Sequence, residues 1–242
     1  MDHLAVFARW PEPGRVKTRL SPALPAALAC DLYRALLDDA LAAAARAGAG
    51  ARYLYWADAP AGRGDFAAPS GFETRDQGGG DLGARLERAF GRHLERSGDR
   101  AVVIGADCPD LDVGLIERAF ETLARADLVL GPARDGGYYL IGLARPAPAL
   151  FRGMRWGTAG VLEETRARAH TAGLRTALLE PLDDLDTPAD LVRWLGRAAC
   201  GRAAAAPATT RALRAIGLLA AGGPESLPAP GPVSRSGALT ES

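Results

Sequence analysis

Short apolar runs alternate with longer stretches whose apolar residues recur at helical spacing, and that alternation most constrains what this chain can fold into. Leu4-Ala5-Val6-Phe7-Ala8, Arg52 to Trp56, Ala101-Val102-Val103-Ile104-Gly105, Asp127 to Leu130, Tyr138 to Leu143 and Arg175 to Leu179 read as strands. Residues 23–47, 81–96, 113–125, 159–172 and 188–199 read as helices, the first carrying Leu28, Leu32, Leu36, Leu37 and Leu41 on one face. An unbroken apolar run such as 101–105 suits a strand covered on both sides. Strands that alternate with helices predict a three-layer α/β/α fold around a mixed, mainly parallel sheet with right-handed crossovers.

The chain has 242 residues, 48% apolar and 24% charged, enough for one large domain or one domain with an appendage. The expected domain covers residues 1–200. Residues 201–242 turn to Ala, Pro, Gly and Ser, and predict a short helix over Thr210 to Leu219 followed by disorder from Gly222 to Ser242. Basic and acidic side chains number 29 each and the pI is near 6.8, which argues against long nucleic acids as partners. No basic leader opens the sequence and no apolar run predicts a membrane span. Cys30, Cys108 and Cys200 are scattered, which fits a reducing, cytoplasmic setting better than a disulfide framework.

Three unusual segments follow predicted strands, where open α/β sheets bind ligands. The first runs from Ala8 and Arg9 through Pro11, Pro13 and Gly14 to Leu20, and sets Arg15, Lys17 and Arg19 within five residues. Such a loop is either a solvated surface loop or one suited to a di- or triphosphate, although its spacing is not that of a Walker loop. Lys17 is the only lysine, every other basic residue being arginine, so its position points to a need for a compact ammonium. The second is Gly105-Ala106-Asp107-Cys108-Pro109-Asp110, where Asp107 is either a turn residue or a carboxylate holding Mg²⁺ against phosphate oxygens. Asp110 and Asp112 read as caps of the next helix rather than ligands. The third is Asp183-Asp184-Leu185-Asp186-Thr187-Pro188-Ala189-Asp190. Thr187, Pro188 and Asp190 there form a capping box, and Asp186 is either the candidate second metal contact or acidic decoration of the helix start.

Two further segments carry open alternatives. Gln77 with Gly78, Gly79 and Gly80 is either a plain loop or a flexible backbone docking a base edge or anion at a helix N-terminus. Asp135-Gly136-Gly137-Tyr138-Tyr139 is either a turn between two strands or part of an acceptor pocket. Trp156 is either core or pocket wall, and Thr158 is expected to cap the following helix. His3, His93 and His170 are isolated and suggest neither a triad nor a zinc site.

Taken in order, Phe7-Ala8-Arg9 through Lys17-Thr18-Arg19-Leu20, Gly105 to Pro109, Asp135 to Gly142, Trp156 with Thr158, and Asp184 to Pro188 resemble a bacterial family of GT-A-type glycosyltransferases of the arsenosugar-biosynthesis kind, over about residues 3–197. The resemblance implies a Rossmann-like nucleotide-diphospho-sugar transferase fold, a nucleotide-diphosphate-binding half and a divalent metal. The Lys17 to Leu20 and Asp135-Gly136-Gly137 portions are also similar to 2-phospho-lactate guanylyltransferases, from which Tyr138-Tyr139 departs, since that group is expected to carry a Thr-Asn pair.

The leading expectation is therefore a metal-dependent glycosyltransferase acting on a nucleotide-diphosphate sugar and a small-molecule acceptor. Asp107 and Asp186 would hold Mg²⁺ or Mn²⁺, and Lys17 and Arg19 would neutralise the leaving diphosphate. Ala8, Arg9, Gly14 and Arg15 would complete the phosphate loop, with Gln77, Gly79 and Gly80 on the base or ribose. Asp135 would be the general base of an inverting reaction, beside an acceptor pocket of Gly136, Gly137, Tyr138 and Trp156. The alternative is a nucleotidyltransferase in which an acceptor phosphate attacks a nucleoside triphosphate with pyrophosphate release. A third reading is a nucleotide sensor without turnover.

Overall fold

The structure is a computed structural model that describes residues 1–60, 68–200 and 206–220. In chain order the elements are β1 (Asp2–Arg9), α1 (Ala26–Arg46), β2 (Ala51–Ala57), β3 (Phe72–Asp76), α2 (Leu82–His93), β4 (Arg100–Ile104), α3 (Val113–Leu123), β5 (Leu128–Pro132), β6 (Tyr138–Leu143), α4 (Val161–Thr171), β7 (Thr176–Leu178), α5 (Pro188–Ala199) and α6 (Pro207–Ala215). Single 3₁₀ turns lie at Thr18–Leu20 and Pro148–Leu150. The strands form one sheet in the order β3-β2-β1-β4-β6-β5-β7, parallel throughout except for β6, which runs against both neighbours.

Both faces of that sheet are covered. Alternate residues of β1 and β4 (Leu4, Val6, Val102, Ile104) pack with Leu37 and Leu41 of α1 and with Ile116 and Phe120 of α3. On the opposite face Ala5, Val103 and Ile141 pack with Leu86 and Phe90 of α2 and Ala169 of α4. A third cluster lies behind α1, where Leu32 and Leu36 meet Trp194 of α5 and Leu213 of α6. The three layers follow from period-2 burial in the strands and an apolar stripe on each helix.

The order of the strands fixes where a ligand can sit. From β1 the chain steps outward through β2 to β3, then crosses back to place β4 on the other side of β1. The connections therefore diverge between β1 and β4, and the crevice beyond their carboxyl ends is the topological switch point at which such sheets bind ligands.

Several details differ from expectation. The edge strand β3 is absent from the sequence reading, because Phe72-Glu73-Thr74-Arg75-Asp76 is polar and largely exposed. Thr158 does not cap α4; the N-cap is Gly160, and Thr158 Oγ1 donates to the Arg155 carbonyl 3.0 Å away. The C-terminal helix lies at Pro207–Ala215, earlier than the expected 210–219. Its entry is set by Pro207 in the first turn and by Asp39 of α1, whose buried carboxylate accepts from Ala208 N at 2.9 Å and Thr209 N at 2.8 Å. The stretch expected to be disordered, 222–242, lies outside the described residues. Among the described residues no helix is long and apolar enough to cross a membrane.

Candidate active site

Three loops meet at the switch point. Residues 10–25 follow β1, residues 105–112 follow β4, and residues 179–187 lead from β7 into α5. Backbone bonds join the last two, Leu185 N donating to the Asp107 carbonyl at 2.8 Å. A bridge pairs Ala133 with Leu182, and Arg134 N donates to Leu182 O at 3.1 Å, so the tail of β5 holds the approach to α5 in place. The capping box read from the sequence is present, with Thr187 accepting from Asp190 N and Asp190 accepting from Thr187 N. It fixes the chain direction just after Asp186. Arg197 of α5 reaches back to Asp183 and Asp110, tying the helix to both acidic loops.

The result is a knot of opposite charge around Lys17. Its Nζ lies 2.5 Å from Asp107 Oδ1 and 3.7 Å from Asp186 Oδ1, and only 2% of its side chain is exposed. Burial by itself would lower the ammonium's pKa; the charge and hydrogen bond of Asp107, then the charge of Asp186, outweigh it and hold the pKa above that of an ordinary lysine. Arg19 Nη1 donates to Asp186 Oδ2 at 2.9 Å from a side chain that is two-thirds exposed. The three residues expected to share the site from the sequence, Lys17, Asp107 and Asp186, are thus brought together.

Asp184 belongs to the same knot and was not singled out in the sequence. Cys108 Sγ donates to its Oδ1 at 2.9 Å, and its Oδ2 is buried without a hydrogen-bond partner. Burial pushes its carboxyl up to about 7, helped by the neighbouring charges of Asp135 and Asp107. The only sequence signal was its position two residues before Asp186, which places both ahead of the helix cap. Asp112 caps α3 by accepting from Leu115 N, as expected, whereas Asp110 pairs with Arg197 rather than capping.

The remaining candidates divide into rim and interior. Arg15 is exposed and meets Glu12 at 3.4 Å; Gly14 turns the loop at a φ of +80° with open space around it. Ala8 is buried, and the Arg9 backbone is held by Tyr33, whose hydroxyl accepts from Arg9 N at 2.8 Å. Gln77 does not face a nucleotide: it is buried, and its Nε2 donates to Ala8 O at 3.1 Å and Tyr55 O at 3.0 Å, beneath the site. Gly79 and Gly80 stay exposed, their carbonyls bound by Arg88 and Arg85 of α2.

Asp135, Gly136 and Gly137 form a tight turn in which Asp135 Oδ1 accepts from Gly137 N at 2.8 Å. Gly136, at a φ of +91°, presses on the start of α4: a Cβ there would stand 2.0 Å from the Ala159 carbonyl oxygen. Tyr138 and Trp156 do not open into an acceptor pocket. Both rings are half-buried and pack against the face under α2 and α4, edge to face at 6.4 Å, with the Tyr138 hydroxyl beside Thr165 and the Trp156 indole against Gly83, and neither the hydroxyl nor the indole N–H has a hydrogen-bond partner. Tyr139 packs in the opposite face and donates to Glu180 O at 3.0 Å. Tyr139 is therefore core, whereas Tyr138 is half-buried and its hydroxyl is buried without a hydrogen-bond partner.

Among the described residues no three His, Cys, Asp or Glu side chains are gathered in a cluster able to hold a metal ion unaided. The donors fit a cation that completes its shell elsewhere: Asp107 and Asp186 engage only cationic side chains, and Asp184 keeps one oxygen orphaned. Magnesium commonly binds through one or two carboxylates and takes its other oxygens from substrate phosphates and water.

Comparison with known proteins gives concordant relatives. Residues 40–158 match the family described as "Uncharacterized protein conserved in bacteria (DUF2064)". The chain is 33% identical over 196 residues to a 3-phospho-D-glycerate guanylyltransferase of Phenylobacterium zucineum (strain HLK1), covering 77% of this chain and 86% of the relative. A crystal structure from Desulfovibrio desulfuricans G20, provisionally assigned as a nucleotide-diphospho-sugar transferase, is 32% identical and superposes with a TM-score of 0.74 over 89% of this chain and 96% of its own. Rv0371c of Mycobacterium tuberculosis H37Rv shares the fold at 20% identity and a TM-score of 0.51, over 80% of this chain and 97% of that one. The sheet, its layers and its relatives make this a nucleotide-diphospho-sugar transferase-like fold.

Proposed function

The chain belongs to the same family as the 3-phospho-D-glycerate guanylyltransferase of P. zucineum, and from that premise we propose that it is a metal-dependent nucleotidyltransferase acting on a phosphorylated small molecule. The likeness to that guanylyltransferase favours nucleotidyl transfer over the glycosyl transfer that the sequence alone suggests. The observation that carries the chemistry is the meeting of Lys17, Arg19, Asp107 and Asp186 in one crevice at the switch point.

In the proposed reaction a phosphate oxygen of the acceptor attacks the α-phosphorus of a nucleoside triphosphate. The new O–P bond forms as the bond to the bridging oxygen breaks, and pyrophosphate leaves with that electron pair. Lys17 and Arg19 neutralise the charge that builds on the leaving group. Asp107 and Asp186, with Asp184 beside them, would hold Mg²⁺ or Mn²⁺, which supplies Lewis-acid stabilisation of the phosphoryl oxygens. A phosphate monoester has its second pKa at about 6 and is largely dianionic at neutral pH. The acceptor needs no general base, so Asp135 is free to serve as the turn residue that its bond to Gly137 makes it. The phosphate loop around Gly14 and Arg15 and the exposed backbone of Gly79 and Gly80 remain the surfaces offered to the nucleotide.

The test is product analysis. Incubation with each nucleoside triphosphate, 3-phosphoglycerate and Mg²⁺ should release pyrophosphate, with GTP and 3-phosphoglycerate tried first because of the relative's activity. Release of a nucleoside diphosphate from nucleotide sugars, with no pyrophosphate from any triphosphate, would return the glycosyltransferase reading.

A further inference from the structure

We propose that Lys17 is a latch on the metal site: its ammonium occupies the place between Asp107 and Asp186 that a divalent cation takes once a nucleotide is bound. The inference rests on the preceding reading only in taking those two carboxylates as the cation's ligands.

One nitrogen lies within reach of both carboxylates, at 2.5 Å from Asp107 and 3.7 Å from Asp186. A Mg²⁺ ion sits about 2.0–2.1 Å from each carboxylate oxygen it binds. An ion bonded to both groups would therefore crowd the ammonium and repel it, so the two cations are alternatives. Arg19 covers the remaining oxygen of Asp186. With 2% of its side chain exposed, Lys17 is screened from competing water and salt.

The backbone points the same way. Lys17 has a φ of +49°, and among the described residues only Asp58 and Lys17 enter that left-handed region without being glycine. Such a conformation is costly for a residue with a Cβ and persists where surrounding contacts over-determine it. Here the contacts are the ion pairs to Asp107 and Asp186. A triphosphate entering the crevice offers Lys17 and the exposed Arg19 a denser negative charge, and their departure uncovers the carboxylates. The cation then enters with the nucleotide and free metal is refused. An arginine could not act as this latch, because a planar five-donor fork does not fit where a compact ammonium does.

Binding of Mn²⁺, followed by the EPR signal of the free ion, tests the proposal. The full chain, Lys17→Met and Lys17→Gln are each titrated alone and with saturating α,β-methylene GTP, their folding being checked by circular dichroism. Without nucleotide, the variants should bind Mn²⁺ about ten-fold tighter than the natural chain, or more, since the resident positive charge is gone. With nucleotide the natural chain should retain Mn²⁺ as well. If one variant does not fold, the other decides. Unchanged or weaker Mn²⁺ binding in the folded variants overturns the latch and leaves the metal reading intact, provided the natural chain holds Mn²⁺ with nucleotide. Failure of the natural chain to retain Mn²⁺ with bound nucleotide overturns the metal reading and the latch together.

Discussion

Lys17 Nζ and Asp107 Oδ1 stand 2.5 Å apart, joining the loop after β1 to the loop after β4 across 90 positions of sequence. The pair is asymmetric: the ammonium is buried, while more than half of the Asp107 side chain is exposed. Removing the carboxylate strands a buried cation, whereas removing the ammonium leaves a carboxylate that water can reach. Asp107→Ala should therefore lower the unfolding midpoint more than Lys17→Ala, and it should abolish metal-dependent nucleotide binding. Thermal melts and calorimetric titration with GTP and Mn²⁺ check both statements.

Lys17→Ala should weaken nucleotide binding by about 1.5–3 kcal/mol, the scale of a hydrogen bond to a charged group. Lys17→Arg should be impaired despite the retained charge, because a single compact ammonium is what meets both Asp107 and Asp186, and a guanidinium presents its donors in a planar fork instead. Titration of both variants beside the natural chain separates charge from shape; natural affinity in the arginine variant would make the lone lysine an accident of composition.

Asp184 carries a buried carboxyl with one oxygen unpartnered, an arrangement that stability alone does not favour. Asp184→Asn removes the charge at nearly constant shape. At pH 8 the variant should melt higher than the natural chain, by a gain of about 1–2 kcal/mol, and should turn over more slowly if the carboxylate serves the cation. A lower melting point with undiminished turnover would make Asp184 a structural residue.

Much of this arrangement was legible in the sequence. The unbroken apolar run at 101–104 and the helical spacing of α1 gave the layers, and the Thr187-Pro188-Asp190 box located the start of α5 to the residue. Asp107 and Asp186 could be singled out because one stands just after a strand and the other before a cap, where a charge needs a reason, and Lys17 because it is the only lysine in a chain whose other cations are arginines. What could not be read was orientation. Gln77 and Trp156 have polar atoms that suit a ligand, but whether such groups face a cleft or a packed layer depends on contacts with Tyr55 and Gly83, residues remote in sequence. The Cys108–Asp184 bond spans 76 positions and left no local trace. Strand β3 escaped notice because an edge strand need not be apolar.

Gly136 is where the turn before β6 meets α4, and no other residue fits. A Cβ would lie 2.0 Å from the Ala159 carbonyl oxygen, in a backbone conformation of positive φ, while the Gly136 carbonyl accepts from Leu162 N at 2.9 Å. Gly136→Ala should destabilise the fold by more than about 2 kcal/mol, since the clash is with main chain rather than a movable side chain. Gly14→Ala meets no atom within 4 Å and carries only its left-handed strain, so it should cost about 1 kcal/mol. Denaturant titration of the two variants gives the comparison; equal losses would show that the turn yields where the structure has it fixed.

At the opposite end of the sheet, His93 is buried with its Nε2 2.8 Å from the Tyr55 hydroxyl and its ring stacked 5.1 Å from His3. Burial, then the positive charge His3 acquires on protonation, lowers its pKa to about 4 from an ordinary 6.5. The unfolded chain therefore binds a proton at this residue more readily than the folded one between those values, and unfolding is favoured as the pH falls through that window. Stability should be constant in this respect above pH 7 and should drop by about 2–3 kcal/mol between pH 6.5 and 4. His93→Gln keeps a hydrogen-bonding head beside Tyr55 and cannot titrate. Urea unfolding of both chains at pH 7.5, 6, 5 and 4 should show a gap that narrows steadily as acid is added, the natural chain losing its lead. A gap that stays constant across the series would mean that His93 is neutral in both states, or charged in both, and that the acid sensitivity of the fold lies elsewhere.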